Sequence, residues 1–434
     1  MHPSGTYAAD SVAKALAEAC ADVRDGAAAD TIDGGAGVVP AFVALPASTG
    51  EAAAVLRVAA EHELAVVPRG GGSRLGWGAP PSRCDVLVDM SRMDAVLEHA
   101  AGDLVARLQA GARMGDVAAA LAAAGQEIAL NVPAGATAGG VVASGLAGPR
   151  RLRYGSPRDL LIGITIVLAN GTVARSGGKV VKNVAGYDLG KLFAGSAGTL
   201  GLITEVTFRL HPLPAARAFV AAEFTAGAVP AACDAVAAAA NSSLTASAVE
   251  LSRPSASGPL LVSVLLEGSA DGVAARAAAM ADLLGRSGAS RAKVSETAPP
   301  GWPGPPAAEA GDTLVRVSFW VSALGQVLGA IDAAAAEAGI APSVAGSAGA
   351  GVLYVSCPPG EPGARARFTG ALRGALDHPR GGVAVLAAPG EVRAALAGRG
   401  GMAGSVPALS LMRAVKDQFD PGHRVSPGRF PEVI

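Results

Sequence analysis

The stretch of sequence that decides the fold runs from residue 132 to residue 212. It contains P-A-G-A-T-A-G-G-V-V-A-S-G at 133–145 and G-G-K-V-V-K-N-V-A-G-Y-D-L-G-K-L-F-A-G-S-A-G-T-L-G-L-I-T-E-V at 177–206. Small residues are concentrated where a backbone has to come close to another group. Because glycine has no Cβ, its N–H can approach an anion and its φ can be positive. We therefore predict that this stretch encloses a dinucleotide.

A second glycine-rich loop, R-G-G-G-S-R-L-G-W-G, stands at 69–78, directly after a short buried strand. A nicotinamide-binding loop would have the spacing G-x-G-x-x-G and a helix behind it. Here the glycines are contiguous, and two prolines and a further strand follow them. The loop alone is as well explained by a turn, and the 133–145 segment favours phosphate binding. Within that segment we expect Thr137 to cap a short helix whose free N–H groups face the ligand.

Length and composition narrow the class of protein. The chain has 434 residues, which predicts two or three domains. Its net charge of −1 gives no support to nucleic-acid binding. The 4 cysteines lie far apart, which argues against an iron–sulfur cluster held by this chain alone and against a disulfide framework. Because no signal peptide or membrane span is evident, we expect a cytoplasmic protein, with any contact to the inner face of the membrane made through partners.

The order of predicted elements indicates an α+β fold. The expected parts are an N-terminal helix and linker (1–37), a ligand-binding domain (38–214), a cap domain (215–405) and a C-terminal segment that returns to the ligand-binding domain (406–434). The N-terminal helix has one apolar stripe, so it either docks on the protein or serves as a partner-binding arm. The cap domain shows β-α-β-β-α-β twice, which predicts an antiparallel sheet with helices on one face.

Five motifs, in this order, carry a family resemblance: P-R-G-G-G-S, P-A-G-A-T-A-G-G-V-V-A-S-G, Y-G-S-P-R-D, G-Y-D-L and G-S-A-G-T-L-G-L-I-T-E-V. Together they resemble the FAD-binding domain of the vanillyl-alcohol oxidase / p-cresol methylhydroxylase type. The resemblance implies a two-subdomain FAD-binding domain with a cap. The segment L-M-R-A-V-K-D-Q-F-D-P-G-H-R-V-S-P-G-R-F at 411–430 resembles the closing segment of that family, with Ser426 where asparagine is usual.

Carried onto this sequence, the resemblance implies three groups of FAD-binding residues. The first loop would hold the pyrophosphate by backbone N–H groups, the second segment would line the flavin ring and pyrophosphate, and the third turn would meet the adenosine end. These residues are Arg69, Gly70, Gly71, Gly72, Ser73 and Arg74; Pro133, Gly135, Thr137, Gly139, Gly140, Ser144 and Gly145; and Gly198, Thr199, Gly201 and Ile203. Some relatives attach flavin through a histidine at the position of Ser73. We therefore expect non-covalent FAD.

Within the family, G-V-V-A-S-G-L-A-G-P-R-R and G-G-K-V-V-K-N-V-A-G-Y-D-L most resemble the FAD-binding subunits of bacterial glycolate dehydrogenases (glycolate oxidases). That likeness implies oxidation of glycolate to glyoxylate beside a larger catalytic flavoprotein and an iron–sulfur subunit. Catalytic relatives carry the pattern H-x-G-D-G-N-x-H. The 6 histidines of this chain are scattered and none forms that pattern, so we expect no metal site and a dependence on partners.

Hydride transfer from a 2-hydroxy acid needs a cation for the carboxylate and a base for the hydroxyl proton. Each candidate also has a structural interpretation, such as bracing its own loop. The candidate cations are Arg69, Arg153, Lys182 and Arg429, and the candidate bases are Tyr187, Asp188 and His423. Three alternatives to the partner-dependent subunit stay open: a stand-alone FAD dehydrogenase of another hydroxy acid or alcohol, a scaffold without activity, and a nicotinamide-linked reductase.

Overall fold

The computed structural model describes residues 5–26, 38–178, 187–300, 302, 311–376 and 381–429. The chain divides into two compact units. Unit 1 comprises residues 1–146, 156–212 and 406–434, and unit 2 comprises residues 147–155 and 213–405. Lys182, one of the catalytic candidates, lies outside the described residues.

Unit 1 contains two main sheets and a two-stranded ladder. The first sheet is built from β1 (Val23–Asp25), β2 (Phe42–Ala44), β3 (Val66–Arg69) and β4 (Val86–Asp89). Its order is β1-β2-β4-β3, with β4 parallel to both β2 and β3. The second sheet contains β5 (Val96–Ala100), β6 (Val105–Gln109), β8 (Leu161–Val167), β9 (Val173–Gly177) and β10 (Leu202–Arg209). It is antiparallel, in the order β5-β6-β10-β8-β9, and β7 (Gln126–Glu127) pairs with β11 (His211–Pro212).

Six helices of unit 1 are described: α1 (Gly5–Ala19), α2 (Thr49–Glu61), α3 (Met114–Ala122), α4 (Ala138–Ser144), α6 (Pro157–Leu160) and α12 (Leu409–Phe419). The apolar stripe of α1 buries Val12 and Leu16 in the core of unit 1, which supports docking rather than a free partner-binding arm. α2 begins at the expected capping residue, because the Ser48 hydroxyl accepts a hydrogen bond from the Glu51 N–H at 3.1 Å.

Unit 2 is organised around one antiparallel sheet of eight strands. These are β12 (Ala216–Phe224), β13 (Ala248–Arg253), β14 (Leu260–Gly268), β15 (Arg291–Ser295), β16 (Thr313–Phe319), β17 (Ser343–Gly346), β18 (Val352–Cys357) and β19 (Gly381–Ala387). The order is β15-β12-β14-β13-β17-β18-β16-β19. The described helices are α5 (Arg151–Tyr154), α7 (Val229–Asn241), α8 (Ala270–Arg286), α9 (Leu324–Ala338), α10 (Pro362–Ala375) and α11 (Gly390–Leu396).

The two halves of unit 2 repeat each other, as the sequence predicts. In each half the chain runs β-α-β-β-α-β, and the strands take equivalent places in mirrored order. The halves join where β13 pairs with β17, with Leu251 opposite Gly346 and Arg253 opposite Val344. Alternate strand residues and the inner faces of the long helices form one apolar core, so the α+β prediction is confirmed.

One detail departs from the expected organisation. Residues 147–155, which we assigned to the ligand-binding domain, cluster with unit 2, because α5 packs against β13 and its side chains bond within that unit. The remaining predicted boundaries stay predictions. No helix in the described ranges is long and apolar enough to cross a membrane.

Candidate functional site

The first glycine-rich loop of unit 1 begins where β3 ends. The Arg69 guanidinium donates from Nε (2.9 Å) and Nη2 (2.5 Å) to Oδ2 of Asp89, at the end of the neighbouring strand β4. This ion pair fixes the base of the loop. Gly72 then takes φ of +72°, a conformation that favours glycine. Arg69 therefore braces its own loop, which was its structural interpretation, and its charge is shared with Asp89.

The tip of this loop presents its backbone to the outside. Gly71, Gly72 and Ser73 are exposed. Among the residues that the structure describes, their three N–H groups have no hydrogen-bond acceptor. Successive free N–H groups on a tight turn form a concave site that favours an anion. This is the geometry expected of a loop that holds a phosphate.

The second glycine-rich segment lies directly against the first loop. A Cβ on Gly70 would overlap the Thr137 side chain, and a Cβ on Gly71 would overlap the carbonyl oxygen of Gly135. The two residues in each of these contacts are more than sixty positions apart in the sequence. The absence of side chains on the loop thus permits the close approach of two segments as well as the approach of a ligand.

The helix that follows Thr137 corrects one expectation. Thr137 caps α4 as predicted, since its hydroxyl accepts a hydrogen bond from the Gly140 N–H at 3.3 Å. However, the N–H groups of Ala138 and Gly139 bond to carbonyl oxygens within unit 1, at 2.9 and 2.8 Å. The N-terminus of α4 is therefore satisfied internally and has no free donors for a ligand. The reason is that α4 packs against β6 so closely that a Cβ on Gly139 would come 2.7 Å from Cβ of Ala110.

The third glycine-rich turn joins the end of the second segment. Both Gly145 and Gly195 donate their N–H groups to the carbonyl oxygen of Val142, at 3.0 and 2.9 Å. A Cβ on Gly145 would lie 3.1 Å from Cα of Gly195. Gly198 follows with φ of +75°, and the Thr199 hydroxyl donates to the Ser196 carbonyl at 2.7 Å. All three glycine-rich segments therefore belong to one contiguous part of unit 1.

A buried lysine ties this third turn to the C-terminal segment. Nζ of Lys416 donates to the carbonyl oxygens of Thr199 (2.6 Å) and Val425 (2.9 Å) and to Oδ2 of Asp420 (2.7 Å). Both side chains of the pair are fully buried. Desolvation lowers the pKa of Lys416, and the neighbouring Asp420 opposes that effect. We call these two residues the lysine latch. This pair was not predicted from the sequence, although the i, i+4 spacing of Lys416 and Asp420 is a visible signal.

The C-terminal segment also extends the first sheet. Val66 of β3 donates to the Arg424 carbonyl and accepts from the Ser426 N–H, both at 2.8 Å. Arg429 then reaches the first loop, where its Nη2 donates to the carbonyls of Arg74 and Trp77 at 3.2 and 3.1 Å. Burial lowers the pKa of Arg429 to about 10. Its other terminal nitrogen, Nη1, has no acceptor in the described residues.

The remaining predicted FAD-binding residues occupy varied surroundings. Pro133 and Gly135 are exposed beside the first loop, whereas the Ser144 hydroxyl donates to the Val141 carbonyl at 3.3 Å. Gly201 has φ of +152° and directly precedes β10. The Ile203 side chain is part of the core of unit 1, so any ligand contact there would involve other atoms. Arg74 stacks over the Trp77 ring, with its guanidinium carbon 3.9 Å from the ring centroid.

The structure gives most catalytic candidates a local role. Tyr187 is 93% exposed, and its carbonyl accepts the Leu189 N–H. Asp188 pairs with Lys191 at 3.1 Å on the surface. His423 contacts Asp417 at 2.8 Å, also on the surface. Within the described ranges, the structure brings none of these groups together into a proton-transfer centre. Nor do three or more His, Cys, Asp or Glu side chains converge there on a possible metal site.

The geometry fits FAD in unit 1. The free N–H groups of residues 71–73 suit a pyrophosphate, and the open space beside Gly72 and Gly135 leaves room for a ligand. Bound FAD would supply a two-electron acceptor.

Comparison with known proteins agrees with this geometry. Residues 40–177 match the family described as "FAD binding domain". The chain is 37% identical over 181 residues to "Glycolate oxidase subunit GlcD" of Bacillus subtilis, a match that covers 41% of this chain and 38% of that protein. It is 34% identical over 176 residues to a mitochondrial "D-lactate dehydrogenase [cytochrome]" of Arabidopsis thaliana, covering 41% of this chain and 31% of that protein. The match thus spans less than two fifths of the length of either relative.

Solved structures extend the likeness to the whole fold. "P-cresol methylhydroxylase with substrate bound" has a TM-score of 0.77 and 16% identity, covering 99% of this chain and 98% of its own. "4-ethylphenol oxidase from Gulosibacter chungangensis" has a TM-score of 0.74 and 17% identity, covering 98% of each chain. At these identities the likeness concerns the fold alone. Residues 40–177 of the chain therefore match an FAD-binding domain, as the glycine-rich motifs indicate, and the fold of the chain is similar to that of p-cresol methylhydroxylase.

Proposed function

We propose that this protein is the FAD-binding subunit of a 2-hydroxy-acid dehydrogenase that oxidises glycolate to glyoxylate. The observation that carries the proposal is the 37% identity over 181 residues to a glycolate oxidase subunit. Matches to D-lactate and D-2-hydroxyglutarate dehydrogenases, at 34% identity each, support the wider class of FAD-linked 2-hydroxy-acid dehydrogenases. In this proposal the electrons pass to an iron–sulfur partner, and the complex acts in the cytoplasm beside the membrane.

The FAD would be held without a covalent bond. Relatives of this family that attach flavin at the first loop do so through histidine, and this chain has Ser73 there. We expect the N–H groups of Gly71, Gly72 and Ser73 to hold the pyrophosphate. Precipitation with acid should therefore release all of the flavin into the supernatant. Flavin that stays with the precipitated protein would contradict this part of the proposal.

Oxidation of a 2-hydroxy acid removes a hydride from carbon and a proton from the hydroxyl group. The active site must hold the carboxylate with a cation and accept the proton. Of the cations considered, Arg69 is paired with Asp89 and Arg429 is bound by two loop carbonyls. Lys182 stays a candidate for the substrate or for a flavin phosphate. The surface positions of Tyr187 and Asp188 support the dependence of proton transfer on a partner subunit.

The second candidate function is a stand-alone FAD dehydrogenase of another hydroxy acid or alcohol. The structural likeness to p-cresol methylhydroxylase and 4-ethylphenol oxidase keeps this alternative open, since those chains align over nearly their full length. It predicts turnover with an artificial electron acceptor and without any partner.

The deciding experiment is a visible spectrum of the purified chain followed by anaerobic addition of glycolate. A yellow protein that is reduced only after the partner subunits are added would support the proposal. A yellow protein that glycolate bleaches on its own would favour the stand-alone enzyme. A protein that cannot take up FAD would refute both.

A further inference from the structure

Residues 424–429 of the C-terminal segment contact the chain on both sides of the first glycine-rich loop. Before the loop, the Val66 N–H donates to a carbonyl of this segment at 2.8 Å. After the loop, the Ser82 N–H donates to the Pro427 carbonyl, also at 2.8 Å. Gly428 is so close to Ser82 that a Cβ there would lie 3.4 Å from the Ser82 side chain. The segment therefore holds the chain where it enters and where it leaves the loop.

Arg429 contacts the middle of the loop. The Trp77 N–H donates to the Arg74 carbonyl at 3.1 Å, which closes a turn. Nη2 of Arg429 donates to the same Arg74 carbonyl and to that of Trp77, at 3.2 and 3.1 Å. The guanidinium therefore cross-links the turn that directly follows the exposed tip at residues 71–73.

The surroundings of Arg429 differ from those of the other buried arginines. Among the residues that the structure describes, four arginines are buried: Arg150, Arg253, Arg365 and Arg429. Arg150 and Arg253 each face a carboxylate. Both terminal nitrogens of Arg365 have carbonyl acceptors, at 2.8 and 2.7 Å. In contrast, Nη1 of Arg429 has no acceptor within the described ranges, and no carboxylate there pairs with this guanidinium.

The charge of Arg429 is therefore uncompensated by the part of the chain that the structure describes. Arg429 is only 5% exposed, and desolvation is the cause that lowers its pKa to about 10. At neutral pH the guanidinium still keeps its proton. Because a charge that leaves water without a counterion is unfavourable, an anion bound close by would stabilise the folded protein.

The exposed tip of the loop offers the place for such an anion. The N–H groups of residues 71–73 have no acceptor in the described parts of the chain. Because Nη2 of Arg429 bonds to Arg74, the residue after Ser73, the guanidinium lies next to the end of this tip. Arg69 shares its charge with Asp89, whereas Arg429 keeps its own. Charges interact strongly in a medium of low dielectric constant, so Arg429 can act on a bound anion without contacting it.

We propose that Arg429 is a positioning residue for the cofactor, which supplies the buried positive charge that balances the diphosphate of FAD held by residues 71–73. Its two hydrogen bonds to the loop keep that charge beside the tip. The choice of FAD over another diphosphate rests on the proposed function. The proposal also assigns to the cofactor a cation that the sequence left open for the substrate carboxylate.

The test is a fluorescence titration of the flavin-free, full-length protein with FAD. We expect Arg429→Met to weaken binding by about tenfold or more, because the diphosphate loses a buried countercharge. Arg429→Lys keeps the charge and loses the planar fork, so it should bind FAD nearly as the wild type does. Arg413→Met removes an exposed arginine from α12 of the same unit, and this matched control should leave the affinity unchanged.

The melting temperature of the flavin-free protein, followed by circular dichroism, separates this role from a purely structural one. An arginine that only braced the loop would lower the melting temperature when replaced by methionine. We expect Arg429→Met to melt no lower than the wild type without flavin, because removal of an uncompensated buried charge offsets the two lost hydrogen bonds. With FAD present the wild type should be the more stable protein, since tighter binding raises the melting temperature.

Either of two affinities would overturn the proposal. One is wild-type affinity for FAD in Arg429→Met, and the other is a loss in Arg429→Lys as large as that in Arg429→Met. A further measurement needs no variant: excess inorganic pyrophosphate should compete with FAD for the wild-type protein. Failure to compete would overturn the assignment of a diphosphate to this loop.

The binding of FAD can be measured without any turnover of glycolate. FAD affinity that depends on Arg429, in a protein that does not oxidise glycolate even with its partner subunits, would leave this inference standing and defeat the proposed function. Glycolate oxidation together with unaltered FAD affinity in Arg429→Met would do the reverse.

Discussion

The buried carboxyl group of Glu250 should make the stability of the protein depend on pH. In the folded state its pKa is about 8, against an ordinary value of 4.5, because burial disfavours the charged form. Between these values the folded protein keeps a proton that the unfolded chain releases. The free energy of unfolding therefore falls as pH rises across this range, whereas below about 4.5 the group has no effect and above about 8 its cost is constant.

The magnitude follows from the same two values. The slope for one proton is about 1.4 kcal/mol for each pH unit, so the whole range corresponds to about 5 kcal/mol. Replacing the acid in Glu250→Gln removes the titrating group and keeps a side chain of the same size that can still accept from Ser347. Between pH 5.5 and pH 8.0 the stability of this variant, relative to the wild type, should rise by about 3 kcal/mol.

The assay is urea denaturation followed by circular dichroism at pH 5.5, 6.5, 7.5 and 8.0, with the flavin content held constant. Glu337→Gln removes an exposed carboxyl from α9 of the same unit and serves as the control. Its stability should follow that of the wild type at every pH. If the free energy of unfolding of Glu250→Gln changed with pH as that of the wild type does over the whole range, the carboxyl group would not be protonated in the folded protein. That result would refute the reasoning.

Three further substitutions test unit 1. Gly70→Ala places a methyl group in the Thr137 side chain, so it should weaken FAD binding at least tenfold in a fluorescence titration, whereas Gly102→Ala, which meets no atom within 4 Å, should not. Lys416→Met leaves a buried carboxylate without its cation and should cost about 3–5 kcal/mol in urea denaturation; the added Asp420→Leu should restore only part of this, because it removes the charge but also the acceptor of the buried Val425 N–H. Ser426→Asn should raise the melting temperature by a few degrees, because Ser426 has φ of +48° and an unpartnered buried hydroxyl group; an unchanged or lower value would count against this explanation.

Much of the architecture could be predicted from local patterns in the sequence. The doubled β-α-β-β-α-β order of unit 2 followed from alternating strand residues and alanine-rich helices, and the structure confirms it. The caps at Ser48 and Thr137 followed from residue type and spacing. The FAD-binding domain and its cofactor followed from the order of the glycine-rich motifs, and the match over residues 40–177 agrees with this.

Features that depend on contacts between residues far apart in the chain could not be predicted from the sequence. Whether the N–H groups of α4 are free depends on carbonyl oxygens of Ala110 and Ala112, more than twenty residues away. The same holds for the lysine latch, since Lys416 finds one of its acceptors at Thr199. The assignment of residues to the FAD site remains a prediction, because it depends on atoms of a ligand that the sequence does not contain.

Nor did the sequence show which arginines are neutralised. Arg150, Arg151 and Arg153 form one basic cluster in the sequence, and we considered it a solvated or partner-facing strip. In the structure Arg150 is buried against Glu267, a residue more than a hundred positions away, whereas Arg151 is not paired with it. Charge compensation is set by tertiary neighbours, so residues adjacent in the chain can differ completely in their electrostatic roles.

The pairing of Val66 with residues 424–426 has a consequence for biosynthesis. Strand β3, which leads into the first glycine-rich loop, pairs with residues 424–426, more than three hundred and fifty positions later in the chain. This pairing can form only after those residues have left the ribosome. Unit 2 needs nothing beyond residue 405, so its sheet can form while that neighbour is still inside the exit tunnel. The nascent chain would therefore carry a finished unit 2 while unit 1 is still incomplete, and flavin could be bound firmly only after residues 424–426 have joined β3.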